Sequence, residues 1–205
     1  MAVRLSSEAD GAGGEDGATA LPGPAAAAFG LQGNEDPVAM QNTPGLADGV
    51  EWLRGAVAQK LGLATSPAEA IVQSPGTPFV ALMSPAQDWT TSGYGVPRQS
   101  EECDVMGRGF TVQAFTKAYW GTDSVCTGVD AATPGTIVND LVRPEAAESG
   151  VFRIAHPSGI INVEVELDDG ASGDARVRKA ALLRTARRIM LGSVEVPANR
   201  VFLAV

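Results

Sequence analysis

The sequence predicts an α+β fold in which an antiparallel or mixed sheet surrounds a helix. Apolar residues recur at helical spacing over residues 46–61 and alternate with polar residues at strand spacing over residues 161–168. A short helix is also predicted from about residue 122 to residue 132, with strand-like apolar segments on both sides. A helix flanked in this way fits one α+β unit over residues 77–205.

The clearest helix covers residues 46–61. Its apolar residues are spaced by four, three, four and four positions, so they form one stripe made of Leu46, Val50, Leu53, Val57 and Leu61. Gly62 is placed to end this helix, and Gly30 is placed to end a shorter one at residues 24–29. The stripe fits packing against its own domain, and it also fits a surface for a partner.

Apolar runs bounded by Gly, Pro and polar residues predict the strands. They cover residues 79–83, 112–115, 136–142, 151–154, 161–167 and 177–186. The acidic residues 168–170 are predicted to form a turn, and Leu191-Gly192 is predicted to turn a hairpin into residues 194–197. Residues 84–100 are dense in Ser, Pro, Gly and Thr, so they are predicted to form a loop.

Composition excludes several classes of protein. With 24 acidic and 15 basic residues the net charge is −9, which argues against a nucleic-acid partner. Two cysteines without CxxC spacing and a single histidine argue against a disulfide framework and against a zinc site. Apolar runs are too short for a membrane span, and the N-terminus lacks the apolar stretch of a secretory signal. A cytoplasmic protein is therefore expected.

The chain is predicted to contain one domain and a short extension. Residues 1–24 are rich in Gly, Ala and acidic residues, which bury little surface, so this segment is expected to be loose. Residues 25–205 are expected to form the domain. Their apolar residues are mainly Val, Leu, Ile and Ala, because aromatic residues make up only 5% of the chain.

The motif best suited to chemistry is His156-Pro157-Ser158-Gly159. Proline fixes its own φ and lacks an N–H, whereas glycine permits unusual backbone angles, so the motif forms a turn of defined shape. This turn can present the Ser158 hydroxyl, nearby backbone N–H groups and His156 to an anion. It can also be an ordinary connection between two strands with a surface histidine.

Three further groups of residues have two interpretations each. The first group, Thr122, Asp123 and Ser124, lies at the start of the predicted helix. It can supply an ordinary N-cap, either Thr122 or Asp123, or it can bind an anion. Cys126 can be an acid or base near that helix start, or a small buried apolar residue. The basic cluster can bind a carboxylate, or it can lie on solvated strand positions or form salt bridges to the abundant acidic residues; it comprises Arg184, Arg187 and Arg188.

Four segments in order resemble the second half of PrpF-type isomerases. They are residues 114–131, 134–138, 156–159 and 184–190, and the chain then continues to Val196-Pro197. Residues 29–35 and 60–63 also resemble this family, so the similarity begins at about residue 25. The family includes 2-methylaconitate isomerases, methylitaconate isomerases and oxalomesaconate tautomerases.

This resemblance implies a diaminopimelate-epimerase-like fold. Such proteins have two similar halves, each a mixed sheet wrapped around a central helix, with the active site in the cleft between the halves. The helix that begins near Thr122 would be the central helix of the second half. The first half, which supplies essential catalytic groups in such enzymes, is not recognisable in this chain.

The resemblance also implies a function. It is the isomerisation of small unsaturated polycarboxylic acids, by cis-trans change or double-bond shift, through proton abstraction and return without a cofactor or metal. The implied catalytic residues are His156 and Ser158, and the implied substrate-binding residues are Thr122, Ser124, Pro157 and Gly159. The implied partners are a small anionic polycarboxylate and either a second copy of the chain or a missing N-terminal half. The alternative is a noncatalytic remnant or assembly module from a truncated gene.

Two residues depart from the pattern of these relatives. Asp123 stands where the family more usually has glycine, and an added carboxylate there would repel an anionic substrate. Trp120 stands at about the place where epimerases of this fold carry their second catalytic cysteine, which argues against a two-thiol epimerase.

Overall fold

The computed structural model describes residues 2–4, 30–168, 176–184, 186–193 and 195–197. The helices of this part of the chain are α1 (Pro37–Gln41), α2 (Leu46–Lys60), α3 (Ala70–Gln73), α4 (Gly121–Ala132) and α5 (Pro144–Ser149), with a 3-10 turn at Ser100–Glu102. The strands are β1 (Ala2–Arg4), β2 (Val80–Pro85), β3 (Trp89–Thr90), β4 (Pro97–Arg98), β5 (Val105–Thr111), β6 (Ala114–Phe115), β7 (Val151–His156), β8 (Gly159–Asp168) and β9 (Arg176–Leu182).

The main sheet is mixed. Its order is β1-β2-β5-β7-β8-β9, with β6 paired to the end of β5, while β3 and β4 form a separate two-stranded sheet. The pairs β1-β2 and β5-β7 are parallel, and the other neighbours in the main sheet are antiparallel. A mixed sheet with few helices confirms the predicted α+β class.

Helix α4 lies against one face of the sheet, where it packs on β7, β8 and β9. The core on this face contains Val105, Phe152, Ile154, Val163 and Val165. Gly128 allows a close approach, since a Cβ atom added there would lie 2.6 Å from Val163 Cγ1. The helix predicted from residue 122 to residue 132 and the alternating strand that follows the His-Pro-Ser-Gly turn are both confirmed.

The opposite face of the sheet is covered by α1 and α2. Leu46, Val50 and Leu53 of α2 are buried in a cluster with residues of β2 and β5. Val57 is only partly buried and Leu61 is 61% exposed. A spacing of four residues exceeds the helical repeat of about 3.6, so the predicted stripe rotates away from the sheet along the helix.

One turn of α2 is fixed by a buried arginine and a glycine. Arg54 has no solvent exposure, and its guanidinium pairs with Glu51 at 2.6 Å and donates to Ser74 O at 2.6 Å and to Thr77 O at 2.9 Å. A Cβ atom on Gly55 would lie 2.3 Å from Pro67 O. These two residues therefore hold the segment that follows α2 close to the helix.

The strand predicted at residues 112–115 is wrong in its extent. Val112 and Gln113 have φ values of 46° and 60° and form the turn between β5 and β6. Strand β5 precedes this turn, and sequence reasoning missed it because Gly107 and Gly109 interrupt its apolar pattern. Residues 84–100, predicted to be a loop, contain the end of β2 and the hairpin of β3 and β4.

The strand predicted at residues 136–142 is also wrong. This segment forms consecutive turns, in which Asp140 N donates to Thr136 O and Val142 N donates to Val138 O. Val138 and Leu141 are buried together at a turn-like spacing, which resembles a strand in composition but not in periodicity. Helix α5 follows and was not predicted.

The C-terminal predictions fail beyond Leu182, where β9 ends. Residues 186–193 and 195–197 contain no strand, so the hairpin predicted at Leu191-Gly192 is wrong. Arg184, Arg187 and Arg188 are exposed and outside any strand. The helix predicted at residues 24–29, residues 169–170 of the predicted turn and most of the segment 1–24 lie outside the described residues.

Candidate functional site

The His-Pro-Ser-Gly turn connects β7 to β8. His156 and Gly159 form the last pair of the two strands, Pro157 is buried, and the other three residues are partly buried. The backbone N–H of Ser158 donates to His156 Nδ1 at 3.2 Å. Because Nδ1 accepts this bond, the proton of the neutral ring lies on Nε2.

The environment of His156 favours the neutral ring. Burial, and to a lesser extent the positive charge of Arg108, lowers the pKa of His156 to about 4. A ring with this pKa is a weak base at neutral pH, but its Nε2–H is a hydrogen-bond donor. His156 is therefore suited to stabilising a developing negative charge.

Two contacts outside the turn hold it in place. Ser92 N donates to Pro157 O at 2.6 Å, and the Ser158 hydroxyl donates to Lys117 O. Lys117 lies four residues before Gly121, the first residue of α4. The turn and the segment that leads into α4 are thus joined.

The start of α4 differs from its predicted form. Its N-cap is Trp120, and no side chain caps the helix, so the prediction of Thr122 or Asp123 as N-cap is wrong. Thr122 is exposed, and its hydroxyl donates to Asp123 Oδ2 at 3.3 Å. Ser124 is fully buried, and its hydroxyl donates to Gly121 O at 2.7 Å. An uncapped N-terminus leaves backbone N–H groups and a partial positive charge for an anion.

Asp123 bears on the charge of this helix start. Burial raises its pKa, and a hydrogen bond from Thr122 opposes that shift. Burial thus disfavours the charged form of the carboxylate, and with it the repulsion of an anion at this place.

The predicted site residues fall into two groups. His156, Pro157, Ser158 and Gly159 come together in one turn, which contacts the segment leading into α4. Thr122 and Ser124 lie in the first turn of α4, where their hydroxyls bond within the helix. In the described residues, no direct hydrogen bond links these two hydroxyls to the turn. The roles assigned to all six residues stay predictions.

Sequence reasoning missed an aromatic pair beside the helix start. Trp120 stacks on Phe79 with ring centroids 5.1 Å apart. Tyr119 and Trp120 lie on β5 because Gly107 and Gly109 have no side chains; a Cβ atom on Gly109 would lie 2.5 Å from the Trp120 ring. Alternate glycines in a strand indicate such a close approach, and this signal is present in the sequence.

Arg108 was also missed. It is 1% exposed, and its Nε donates to Glu35 O at 2.9 Å. Desolvation lowers its pKa to about 10, against the opposing effect of the Glu35 and Asp36 charges. Arg108 remains charged at neutral pH, so it contributes a fixed positive charge near His156.

The cysteines differ in exposure. Cys126 is exposed on α4, so its interpretation as a buried apolar residue is wrong. Cys103 is buried, and burial rather than nearby acids is the main reason that its pKa rises to about 11. Across the described ranges, no three His, Cys, Asp or Glu residues cluster as metal ligands, and no helix has the length and apolar character of a membrane span.

Comparison with known proteins connects this geometry to a family. The family model described as PrpF protein matches residues 24–197. The chain is 37% identical over 166 residues to 3-methylitaconate isomerase of Eubacterium barkeri, which covers 81% of this chain and 42% of that protein. It is 32% identical over 147 residues to 2-methyl-aconitate isomerase of Shewanella oneidensis, which covers 72% of this chain and 36% of that protein.

A solved structure gives the same relationship. The structure of methylitaconate-delta-isomerase superposes with a TM-score of 0.66 and 28% identity, covering 77% of this chain and 41% of that protein. The chain thus spans less than half the length of each of these relatives. The fold is of the diaminopimelate-epimerase type, and the chain belongs to the PrpF family.

Proposed function

We propose that this chain supplies one side of the active site of a cofactor-independent isomerase that acts on small unsaturated polycarboxylic acids. The proposal rests most on one observation: the His-Pro-Ser-Gly turn is bonded to the segment that leads into the uncapped start of α4. The relatives named as isomerases of methylitaconate and methyl-aconitate indicate the class of substrate.

The reaction needs an acid–base group and a site for negative charge. Removal of a proton from the carbon next to the conjugated system gives a dienolate, whose extra charge spreads onto a carboxylate. Return of the proton to another carbon shifts the double bond, and return after rotation changes cis to trans. Donors fixed in advance around the carboxylate stabilise the dienolate.

The described residues suit the second of these tasks. The Nε2–H of neutral His156 and the backbone N–H groups at the start of α4 are hydrogen-bond donors that carry no full positive charge. Thr122 and Gly159 border these donors and are the proposed contacts for a substrate carboxylate. Ser158, Pro157 and Ser124 shape the site, since their polar atoms bond to the chain itself.

The base is proposed to come from the part of the family that this chain does not match. The chain spans 42% of the length of 3-methylitaconate isomerase. Leu183, Ile189, Met190 and Leu191 are 69–91% exposed, and all four lie within the family match. Exposed apolar side chains of this kind suit the pairing of the chain with the part of the family that it does not match.

The proposal predicts that the chain alone has no measurable turnover. The test follows the vinylic signals of 2-methylaconitate and 3-methylitaconate by NMR in deuterium oxide, where proton return introduces deuterium. The assay is repeated after addition of the region of the Eubacterium barkeri enzyme that this chain does not match. Turnover by the mixture but not by the chain alone supports the proposal. In the chain alone the site is open to water, which screens the interactions of the hydrogen-bond donors with the substrate.

Two other outcomes contradict it. Turnover by the chain alone would place the base among its own residues. Physical association of the two parts without turnover or deuterium incorporation would favour the alternative, a noncatalytic assembly module.

A second prediction concerns Ser158 in the active mixture. Ser158→Ala is expected to lower kcat on the order of 10-fold, because the hydroxyl fixes the turn against the segment leading into α4. The loss of one partly exposed hydrogen bond should cost only about 1 kcal/mol of stability. Unchanged kcat together with a large fall in Tm would show that this serine is structural.

A further inference from the structure

We propose that Asp36 and Ser92 are positioning residues that hold the His-Pro-Ser-Gly turn through a contact separate from its bond to the segment leading into α4. This inference rests on the proposed function for its effect on turnover, but its structural part can be tested without activity. Neither residue belongs to the turn or to α4, and both lie outside the segments that sequence reasoning assigned to the site.

A short series of bonds links these residues to the turn. The Ser92 hydroxyl donates to Asp36 Oδ2, and Ser92 N donates to Pro157 O at 2.6 Å. Ser92 thus contacts Asp36 through its side chain and the turn through its backbone. The bond that holds the Ser92 side chain therefore also fixes the direction of the Ser92 backbone N–H.

Pro157 depends on this donor more than another residue would. Proline has no N–H, so its carbonyl is its only hydrogen-bonding group. The carbonyl of Pro157 accepts from Ser92, and Pro157 itself is buried. Loss of the Ser92 contact would leave a buried carbonyl without its partner, and the turn would shift to satisfy it.

Asp36 is itself fixed, so it can serve as an anchor. Its Oδ1 accepts from Val38 N at 2.8 Å, which makes it the N-cap of α1. The preceding carbonyl, Glu35 O, accepts from buried Arg108. The bond from Ser92 is the main cause that lowers the pKa of Asp36, so the carboxylate is charged at neutral pH.

The hairpin that carries Ser92 is closed by its own hydrogen bonds and is bonded to the segment that contains Asp36. Thr91 N donates to Val96 O and Gly95 N donates to Thr91 O, both at 2.9 Å, which closes the hairpin tip. At its base, Asn34 Nδ2 donates to Asp88 O at 3.0 Å. Hydrogen bonds therefore connect segment 32–36 to the hairpin and the hairpin to the turn.

The turn is held by two anchors. Ser92 N donates to Pro157 O, and the Ser158 hydroxyl donates to Lys117 O. His156 lies next to both contacts, and its ring is oriented by Ser158 N. Removal of the Ser92 hydroxyl is thus expected to change the orientation of His156.

The chain's single histidine gives a direct readout. The imidazole signals of His156 are recorded by NMR for the unchanged chain, for Ser92→Ala and for Ser92→Thr. Thr90→Ala is the matched control, because Thr90 is exposed in the same hairpin and its side chain makes no hydrogen bond in the described residues. Ser92→Ala should shift the His156 signals, Ser92→Thr should restore them, and Thr90→Ala should leave them unchanged.

The same variants are then assayed in the active mixture. Ser92→Ala should lower kcat about 10-fold with little change in KM, because misplacement of a group affects the transition state more than binding. The Asp36–Ser92 bond is exposed, so Tm should change little. Unchanged His156 signals in Ser92→Ala, or a failure of Ser92→Thr to restore them, would overturn the inference even if the mixture has no activity. Shifted signals with unchanged kcat in an active mixture would overturn its catalytic part.

Discussion

Replacement of Arg54 by alanine is expected to lower the free energy of unfolding by about 3–5 kcal/mol. Arg54 has no solvent exposure, and its loss leaves Glu51, Ser74 O and Thr77 O without a buried donor. A buried group that loses its partner keeps its desolvation penalty, which is why the cost exceeds that of a surface pair. Urea unfolding of the chain measures the change.

Lys179→Ala is the matched control. Lys179 pairs with Glu164 at 2.9 Å, but both side chains are nearly half exposed. Exposed pairs of this kind contribute little to stability, so this variant should unfold close to the unchanged chain. Equal losses for Arg54→Ala and Lys179→Ala would show that the buried pair has no special role.

The buried arginine also shows where sequence reasoning ends. The apolar stripe of α2 was predicted, and Leu46, Val50 and Leu53 do pack on the sheet. Arg54 was not recognised, because a charged residue next to a stripe looks solvated until its partners are known. Besides Glu51, those partners are carbonyls twenty or more residues away, and hydrophobic periodicity carries no information about them.

His156 is expected to make the chain less stable as pH falls. Its folded pKa of about 4 lies below the ordinary value of 6.5, so the folded chain favours the neutral ring. Above about pH 6.5 both states are neutral and stability is complete. As pH falls toward about 4 the unfolded chain binds the proton first, which costs on the order of 3 kcal/mol.

His156→Asn isolates this effect, because asparagine can accept from Ser158 N but does not titrate. Urea unfolding at about pH 7 and about pH 4.5 gives, for each protein, the loss of stability between the two pH values. The carboxylates contribute equally to both losses, so the difference between them reports His156. The loss should be smaller in the variant. Equal losses, or a His156 pKa near 6.5 by NMR, would contradict the prediction.

The site could be predicted only in part. The order of the motifs located the His-Pro-Ser-Gly turn and helix α4, because both are local features of the sequence. Ser92 and Arg108 were out of reach, since they meet the turn only through the hairpin and through pairing of β5 with β7. Trp120 was placed near the helix start, but its stacking on Phe79 needs the fold.

The close contact of Gly128 with Val163 sets the height of α4 above the sheet. A rigid helix rises about 1.5 Å per residue, so its first residue lies about 10 Å from this contact. A side chain added at Gly128 would therefore tilt α4 and displace its first turn. Val163 lies in β8, the strand that begins at the His-Pro-Ser-Gly turn. The absence of a side chain at Gly128 therefore bears on the distance between the start of α4 and the turn, although Gly128 belongs to neither.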